Sequence, residues 1–204
     1  MILILVLIGG GTCSGKTTLA KKVQLTFPTR CVVISLDSYY RDQSNLSFEE
    51  RSALNFDHPD AFEWDLILRH VATLLEGSPV DLPVYDFAFH ARKPKPIRVF
   101  PRPIIVLEGI LALYNKELNS RASLRVFVDL DPILRLERRR IRDCQERGRD
   151  EQLILTQYYD SVFPMHVQFV ESSRHVASLV VSGAGEEGAK AIIQRIERLI
   201  GQVR

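Results

Sequence analysis

ILILVLIGGGTCSGKTTLAKK, residues 2–22, is the stretch from which the rest of the chain can be organised. An apolar run at 2–8 gives way to Gly10, four residues, and then Gly15-Lys16-Thr17, after which the sequence turns helix-like. This is the GxxxxGK[ST] spacing in the context it requires, a strand before and a helix after. Glycines let successive backbone N–H groups close on phosphate oxygens, Lys16 reaches the β- and γ-phosphates, and the Thr17 hydroxyl can hold Mg²⁺. The partial positive charge at the helix N-terminus adds to the grip. Gly10, Gly11, Thr12, Cys13, Ser14, Gly15, Lys16, Thr17 and Thr18 are therefore the candidate phosphate-binding residues.

Outward from this loop, short apolar runs alternate with longer helical patterns. Strands are expected near 2–8, 31–36, 103–107, 124–129 and 177–181, and helices near 16–27, 63–76, 132–146, 151–171 and 187–201. Strands apolar on both faces, joined through helices, predict an α/β fold with a five-stranded parallel sheet covered on both sides. The last helix carries Ala189, Ile192, Ile193, Ile196, Leu199 and Ile200 on one stripe, so it packs on the sheet. Residues 80–100 break the pattern, since two short alternating runs and three prolines predict a protruding β-hairpin.

The 204 residues, 46% hydrophobic and 25% charged, suit a single domain spanning 1–204. With 27 basic and 25 acidic residues the formal net charge is +2, which gives no global field toward nucleic acid or a membrane. Cys13, Cys31 and Cys144 form no CxxC pair, which argues against a disulfide framework or zinc site and fits a reducing cytoplasm. Residues 1–8 are too short to span a bilayer and read as a buried strand.

A phosphate loop alone leaves motor, switch and kinase open. The sequence has no NKxD guanine-reading motif and no LSGGQ signature, which disfavours a GTPase or an ABC-type ATPase. Asp37 follows the second strand and Glu108 the third, at the carboxyl edge where the loop also emerges and where α/β sheets bind ligands. One carboxylate there can anchor Mg²⁺ or its waters while another accepts the proton of an attacking hydroxyl.

The blocks GGTCSGKTT (10–18), SLDSYY (35–40), NFDHPDAF (55–62), PVYDFAFHAR (83–92), LEGIL (107–111), RRRIRDCQERGRD (138–150) and PMHVQFVESS (164–173) stand in the order found in one family. From about Leu7 to Val181 the chain resembles the uridine kinase (uridine-cytidine kinase) family. The resemblance implies transfer of phosphate from ATP or GTP, with Mg²⁺, to the 5′-hydroxyl of uridine and cytidine, and a homotetramer. It implies that Asp37 is the catalytic carboxylate, accepting the 5′-hydroxyl proton, and, with Thr17 and Glu108, part of the metal site. Asp57 is expected at the ribose hydroxyls, and Tyr85, Phe87 and His90 at the pyrimidine, joined by Tyr40, Phe56 and Ile110. Imidazole has one donor and one acceptor nitrogen, so His90 suits either O4 of uracil or N4 of cytosine.

Seven arginines fall in 135–149, interleaved with Glu137, Asp143, Glu146 and Asp150, which argues against a stripe for an RNA backbone. Segment 143–152 is expected to act as a lid bringing Arg147 and Arg149 over the triphosphate, with Lys16 beneath. Arg142 is expected to line the donor site, and Arg139, Arg149 and Gln157 to reach the nucleoside.

The text after the last strand departs from the family. VVSGAGEEG (180–188) stands where Pro-Arg-Gly and a base-contacting Asp are usual, so Glu186 becomes the candidate donor-base contact. Alternatives are a kinase of the phosphoribulokinase or pantothenate kinase type, disfavoured by PVYDFAFHAR, and a nucleotide-dependent RNA-binding regulator.

Overall fold

The computed structural model describes residues 3–201, so Ile2 of the expected first strand lies outside the described residues, as does the side chain of Arg147. Strand β1 (Ile4–Gly10) runs into helix α1 (Lys16–Thr26), followed by β2 (Cys31–Ser35). Every residue of β1 is buried, as expected for a strand with a helical layer on each face. A single-turn 3₁₀ segment, Leu36–Tyr39, continues from β2, so the expected strand at 31–36 ends one residue early and places Asp37 on a turn. Next come the short α2 (Phe48–Ser52) and then α3 (Trp64–Leu75). Ser47 and Glu50 close a reciprocal capping box on α2, which explains how a helix of only 5 residues holds.

Residues 80–99 form two nested antiparallel pairs. Strand β3 (Val80–Leu82) pairs with β6 (Ile97–Val99), and inside them β4 (Tyr85–Asp86) pairs with β5 (Ala91–Arg92). Pro83, Pro94 and Pro96 lie between the pairs, where no ladder N–H is needed. At the tip the Asp86 carboxylate accepts from Ala88 N–H at 3.0 Å.

The chain then returns to the sheet through β7 (Ile104–Glu108), the small helix α4 (Lys116–Arg121), β8 (Leu124–Asp129) and α5 (Pro132–Arg147). Asp131 caps α5, accepting from the N–H groups of Ile133 and Leu134. The expected helix at 151–171 is a longer, interrupted rod: α6 (Glu151–Gln157), a π-helical turn (Tyr158–Val162), α7 (Phe163–Met165), a second π turn (His166–Val170) and a 3₁₀ end (Glu171–Val176). Pro164 has no N–H to give the preceding turn, which accounts for the widening around it. Strand β9 (Leu179–Ser182) and helix α8 (Glu186–Gly201) complete the described chain.

The central sheet has the order β2-β7-β1-β8-β9, all parallel. Side chains alternate between its faces. Leu5, Leu7, Ile105, Leu107 and Phe127 pack on α3 through Ile67, Val71 and Leu74, while Val6, Ile8, Val106, Val126 and Val128 meet Leu19 and Val23 of α1 and Ile192 and Ile196 of α8. Fully burying one such Ile or Leu is worth ~1.5–3 kcal/mol. The expected stripe on α8 is therefore the core contact, with Ile193, Leu199 and Ile200 half-buried at its border. In register, Ile8 stands beside Glu108 and Glu108 beside Ser35, which brings three strand ends to one edge. Among the described residues no helix is long and apolar enough to cross a membrane.

Candidate active site

The loop between β1 and α1 owes its shape to two glycines. Gly10 has φ +138°, and a Cβ there would lie 2.4 Å from the Val128 carbonyl oxygen; Gly15 has φ +104°, and its Cβ would lie 2.3 Å from Cβ of Ala184. Between them Cys13 adopts the left-handed conformation, φ 55°, the kind of turn that aims consecutive N–H groups into one concavity. Gly15 precedes α1 without any side-chain cap, so the first N–H groups of the helix stay available to an anion.

Around this loop lies a cavity of about 370 Å³ lined by Thr12, Cys13, Gly15, Lys16, Thr17, Thr18, Asp37, Glu108, Gly109, Ile110, Arg138, Arg142 and Ala184. Lys16 is buried, and Nζ donates to the Gly11 carbonyl at 2.7 Å. Burial holds its pKa below that of a free lysine, opposed by Glu108 and Asp37. Thr17 Oγ1 donates to Glu108 Oε1 at 3.2 Å. Glu108 is itself buried, and desolvation raises its pKa against the pull of Lys16, with Asp37 adding like charge. Asp37 accepts from the Tyr40 hydroxyl, and its N–H reaches Ser35 Oγ at 3.4 Å.

Two carboxylates in mutual repulsion beside a hydroxyl form the donor set a hard dication relieves. Among the described residues no cluster of three or more His, Cys, Asp or Glu is placed to hold a metal alone. That sparse set fits Mg²⁺, which keeps several waters and takes substrate phosphate oxygens. Thr17, Asp37 and Glu108 would hold it.

Beside the phosphate cavity stands an aromatic cluster. Tyr40 meets Phe56 at 5.2 Å and Tyr85 at 5.0 Å between ring centroids, and His90 lies on Phe56 at 5.2 Å with the planes inclined by 22°. Phe87, on the exposed tip, packs edge-on against Tyr85 at 5.4 Å. Asp57 joins the two halves. Burial raises its pKa, Arg139 and Lys16 pull it down, and Asp37 pushes it up, so it shares one electrostatic environment with the loop.

Helical spacing sorts the arginines of α5. Arg135, Arg138, Arg139 and Arg142 recur at three and four residues and face the loop, whereas Arg140 turns outward to Glu137 and Glu151. Arg139 bridges the site, with Nη1 donating to Thr12 Oγ1 and Nη2 to Gln157 Oε1, each at 3.2 Å, while Arg149 Nη2 donates to the same Gln157 oxygen at 2.8 Å. The expected lid segment 143–152 is the end of α5, a left-handed Gly148 and the first turn of α6.

Other candidate residues stand around the cavity without lining it. Gly10, Gly11 and Ser14 shape the loop from behind and do not line the cavity. Glu186 is exposed and paired with Lys22 at 2.5 Å, and the same Lys22 reaches the carbonyl of Ala184, which lines the cavity wall. Residue reading missed Arg138 and Arg135. The signal was available in the three- and four-residue spacing from Arg139 and Arg142. His166, to which the sequence gives no role, sits beneath the loop with Nε2 at 3.1 Å from Arg135 Nη2, and burial with that cation pushes its pKa down to about 4.

The sequence profile of the Phosphoribulokinase / Uridine kinase family matches residues 5–188. A uridine kinase of Brevibacillus brevis is 43% identical over 183 residues, covering 89% of this chain and 86% of that protein. One of Deinococcus deserti is 44% identical over 179 residues, covering 87% of this chain and 86% of its own. Phosphoribulokinase from Rhodobacter spheroides shares the fold at a TM-score of 0.63 and 13% identity, over 88% of this chain and 70% of that one. With an uncapped helix behind a glycine loop, two strand-end acids beside it and a match running from the first strand to the last helix, the chain belongs to the phosphoribulokinase / uridine kinase family of kinases.

Proposed function

We propose that this kinase transfers the γ-phosphoryl group of ATP or GTP to the 5′-hydroxyl of uridine or cytidine. The observation that carries this reading is the aromatic cluster of Tyr40, Phe56, Tyr85 and His90, joined through Asp57 to the cavity of Lys16, Asp37 and Glu108. Flat rings suit a pyrimidine, and an acceptor carboxylate suits the two ribose hydroxyls.

Asp37 takes the proton of the 5′-hydroxyl, that oxygen bonds to the γ-phosphorus, and the bond to the bridging oxygen breaks, leaving its electron pair on the departing diphosphate. Lys16 and the loop N–H groups hold the phosphates, and Arg139, Arg142, Arg147 and Arg149 meet the charge spread over the transferring oxygens. Bound Mg²⁺ supplies further neutralisation of the phosphate oxygens. The hairpin of residues 80–100 holds the nucleoside and segment 143–152 closes over the donor. Arg139 and Gln157 stand where the acceptor meets the loop, and Ile110 at the cavity wall closes the apolar side. The donor base lies along 182–186, with Glu186 at its edge. The same reading makes the enzyme a cytoplasmic homotetramer serving pyrimidine salvage, without nucleic-acid or membrane partners.

A coupled ADP-release assay with Mg²⁺-ATP tests this against a panel of nucleosides, pantothenate and ribulose 5-phosphate. Turnover with uridine and cytidine is expected. Turnover confined to pantothenate or ribulose 5-phosphate replaces the proposal with the other kinase types.

A further inference from the structure

Three arginines, Arg139, Arg142 and Arg149, converge on one buried carboxylate. Asp143, on the inner face of α5 and fully shielded from solvent, accepts from Arg142 Nε at 2.8 Å, with Arg142 Nη2 at 2.7 Å from the same oxygen. Its second oxygen lies 3.5 Å from Arg149 Nη1 and 3.6 Å from Arg139 Nε. The backbone carbonyl of the same residue accepts from Arg149 N–H at 3.0 Å, after the left-handed Gly148 that ends the helix.

Holding Nε and Nη2 of Arg142 leaves its Nη1 edge for the cavity that Arg142 lines. A guanidinium fork fixed along one edge has its other edge preset in direction, which an isolated arginine on a flexible stem does not. Through the same carboxylate Arg139, which also holds Thr12 and Gln157, is tied to Arg142 and Arg149. One residue thus sets three cations in relation to each other and anchors the turn that carries one of them.

We propose that Asp143 is a positioning residue, which fixes the forks of Arg142 and Arg149 toward the transferring phosphoryl group and couples them to Arg139. The inference rests on the kinase reading above for the direction in which the forks point. Charge on the phosphoryl oxygens redistributes in the transition state, so correctly aimed donors act mainly there. Misaimed forks lower kcat more than they weaken donor binding.

The test compares Asp143→Asn and Asp143→Glu with the wild-type chain by steady-state kinetics, with thermal unfolding alongside. Asp143→Asn leaves guanidinium groups facing an amide in a buried site, so its Tm is read first to show whether the fold survives. Asp143→Glu keeps the charge and displaces the oxygens by one methylene, so it separates position from neutralisation. The expected result for Asp143→Glu is a kcat at least ~10-fold lower with KM for ATP within about threefold of wild type, because small misplacements of catalytic geometry cost up to ~10²-fold. A kcat for Asp143→Glu within threefold of wild type would mean that the charge alone matters and overturns the proposal. So would a parallel worsening of kcat and KM with a lowered Tm, the mark of a loosened helix. If wild type phosphorylates neither uridine nor cytidine, the substrate reading fails by itself, and the same variant ratio is measured on acceptor-independent hydrolysis of ATP.

Discussion

His90 lies flat on Phe56, 5.2 Å between ring centroids, although His90 occupies the left-handed region at φ 47°. A residue other than glycine held there, at the tip of a hairpin, is aimed by its surroundings. His90→Ala removes the ring that packs on Phe56 and Phe48, and with it one hydrogen-bonding group, a loss worth ~1–3 kcal/mol at the base. KM for both uridine and cytidine rises about tenfold or more, since ~1.4 kcal/mol is a factor of ten, while kcat changes less. Steady-state kinetics with both nucleosides check it; unchanged KM for both removes His90 from the base site.

Asp37 sits on a turn beyond β2 with Tyr40 as hydrogen-bond donor, next to Lys16 and Glu108 in the cavity wall. Asp37→Asn keeps the shape and discards the proton acceptor, so kcat falls at least ~10²-fold with little change in Tm. Single-turnover measurement of UMP formation decides it, and an unchanged rate of transfer refutes the role.

Cys13 lines the cavity between Thr12 and Lys16. Carboxamidomethylation there places a bulky group where phosphate must sit, so iodoacetamide abolishes activity and Mg²⁺-ATP protects. Cys13→Ser resists the reagent. Mass spectrometry showing Cys13 modified in fully active enzyme defeats the prediction.

The imidazole beneath the loop makes stability depend on pH. His166 has its pKa pushed from 6.5 down to about 4, by burial first and then by Arg135 and Lys16. A lowered folded-state pKa means that the unfolded chain takes the proton more readily. Stability is therefore full above about pH 6.5 and declines as pH falls toward 4. Between pH 7 and 5 the loss is about 2 kcal/mol from this residue. Denaturant unfolding at the two pH values measures it, and His166→Gln, which keeps an acceptor for Arg135, flattens the difference. An equal slope in His166→Gln assigns the pH effect to other groups.

The fold was legible because β1 advertises itself twice, by an unbroken apolar run and by the loop it feeds, and because Ala189, Ile192 and Ile196 repeat at the helical period. The interruption of the rod after Gln157 had one visible signal, Pro164, whose missing N–H forbids a regular turn, but a proline does not tell whether the helix ends or widens into π turns. Within the site, Asp37 and Glu108 could be placed because they follow strands, and strand ends share an edge. Arg138 and Asp143 were harder, because in a run of alternating charges only the three-dimensional packing of α5 tells which face is wet. Glu186 was assigned by its place in the text alone, and its ion pair with Lys22, in the second turn of α1, could not be read from the sequence.

The nested hairpin carries a consequence for how this enzyme can change. β3 to β6 pair only with one another among the described strands, and the hairpin is rooted in the core by Tyr85. The five-stranded sheet, the glycine loop and the acids at its edge do not depend on its ladder. If the hairpin holds the acceptor as proposed, acceptor choice is modular: exchanging the tip from Asp86 to Ala91 while keeping Tyr85 would alter which alcohol is presented and leave the phosphate machinery standing.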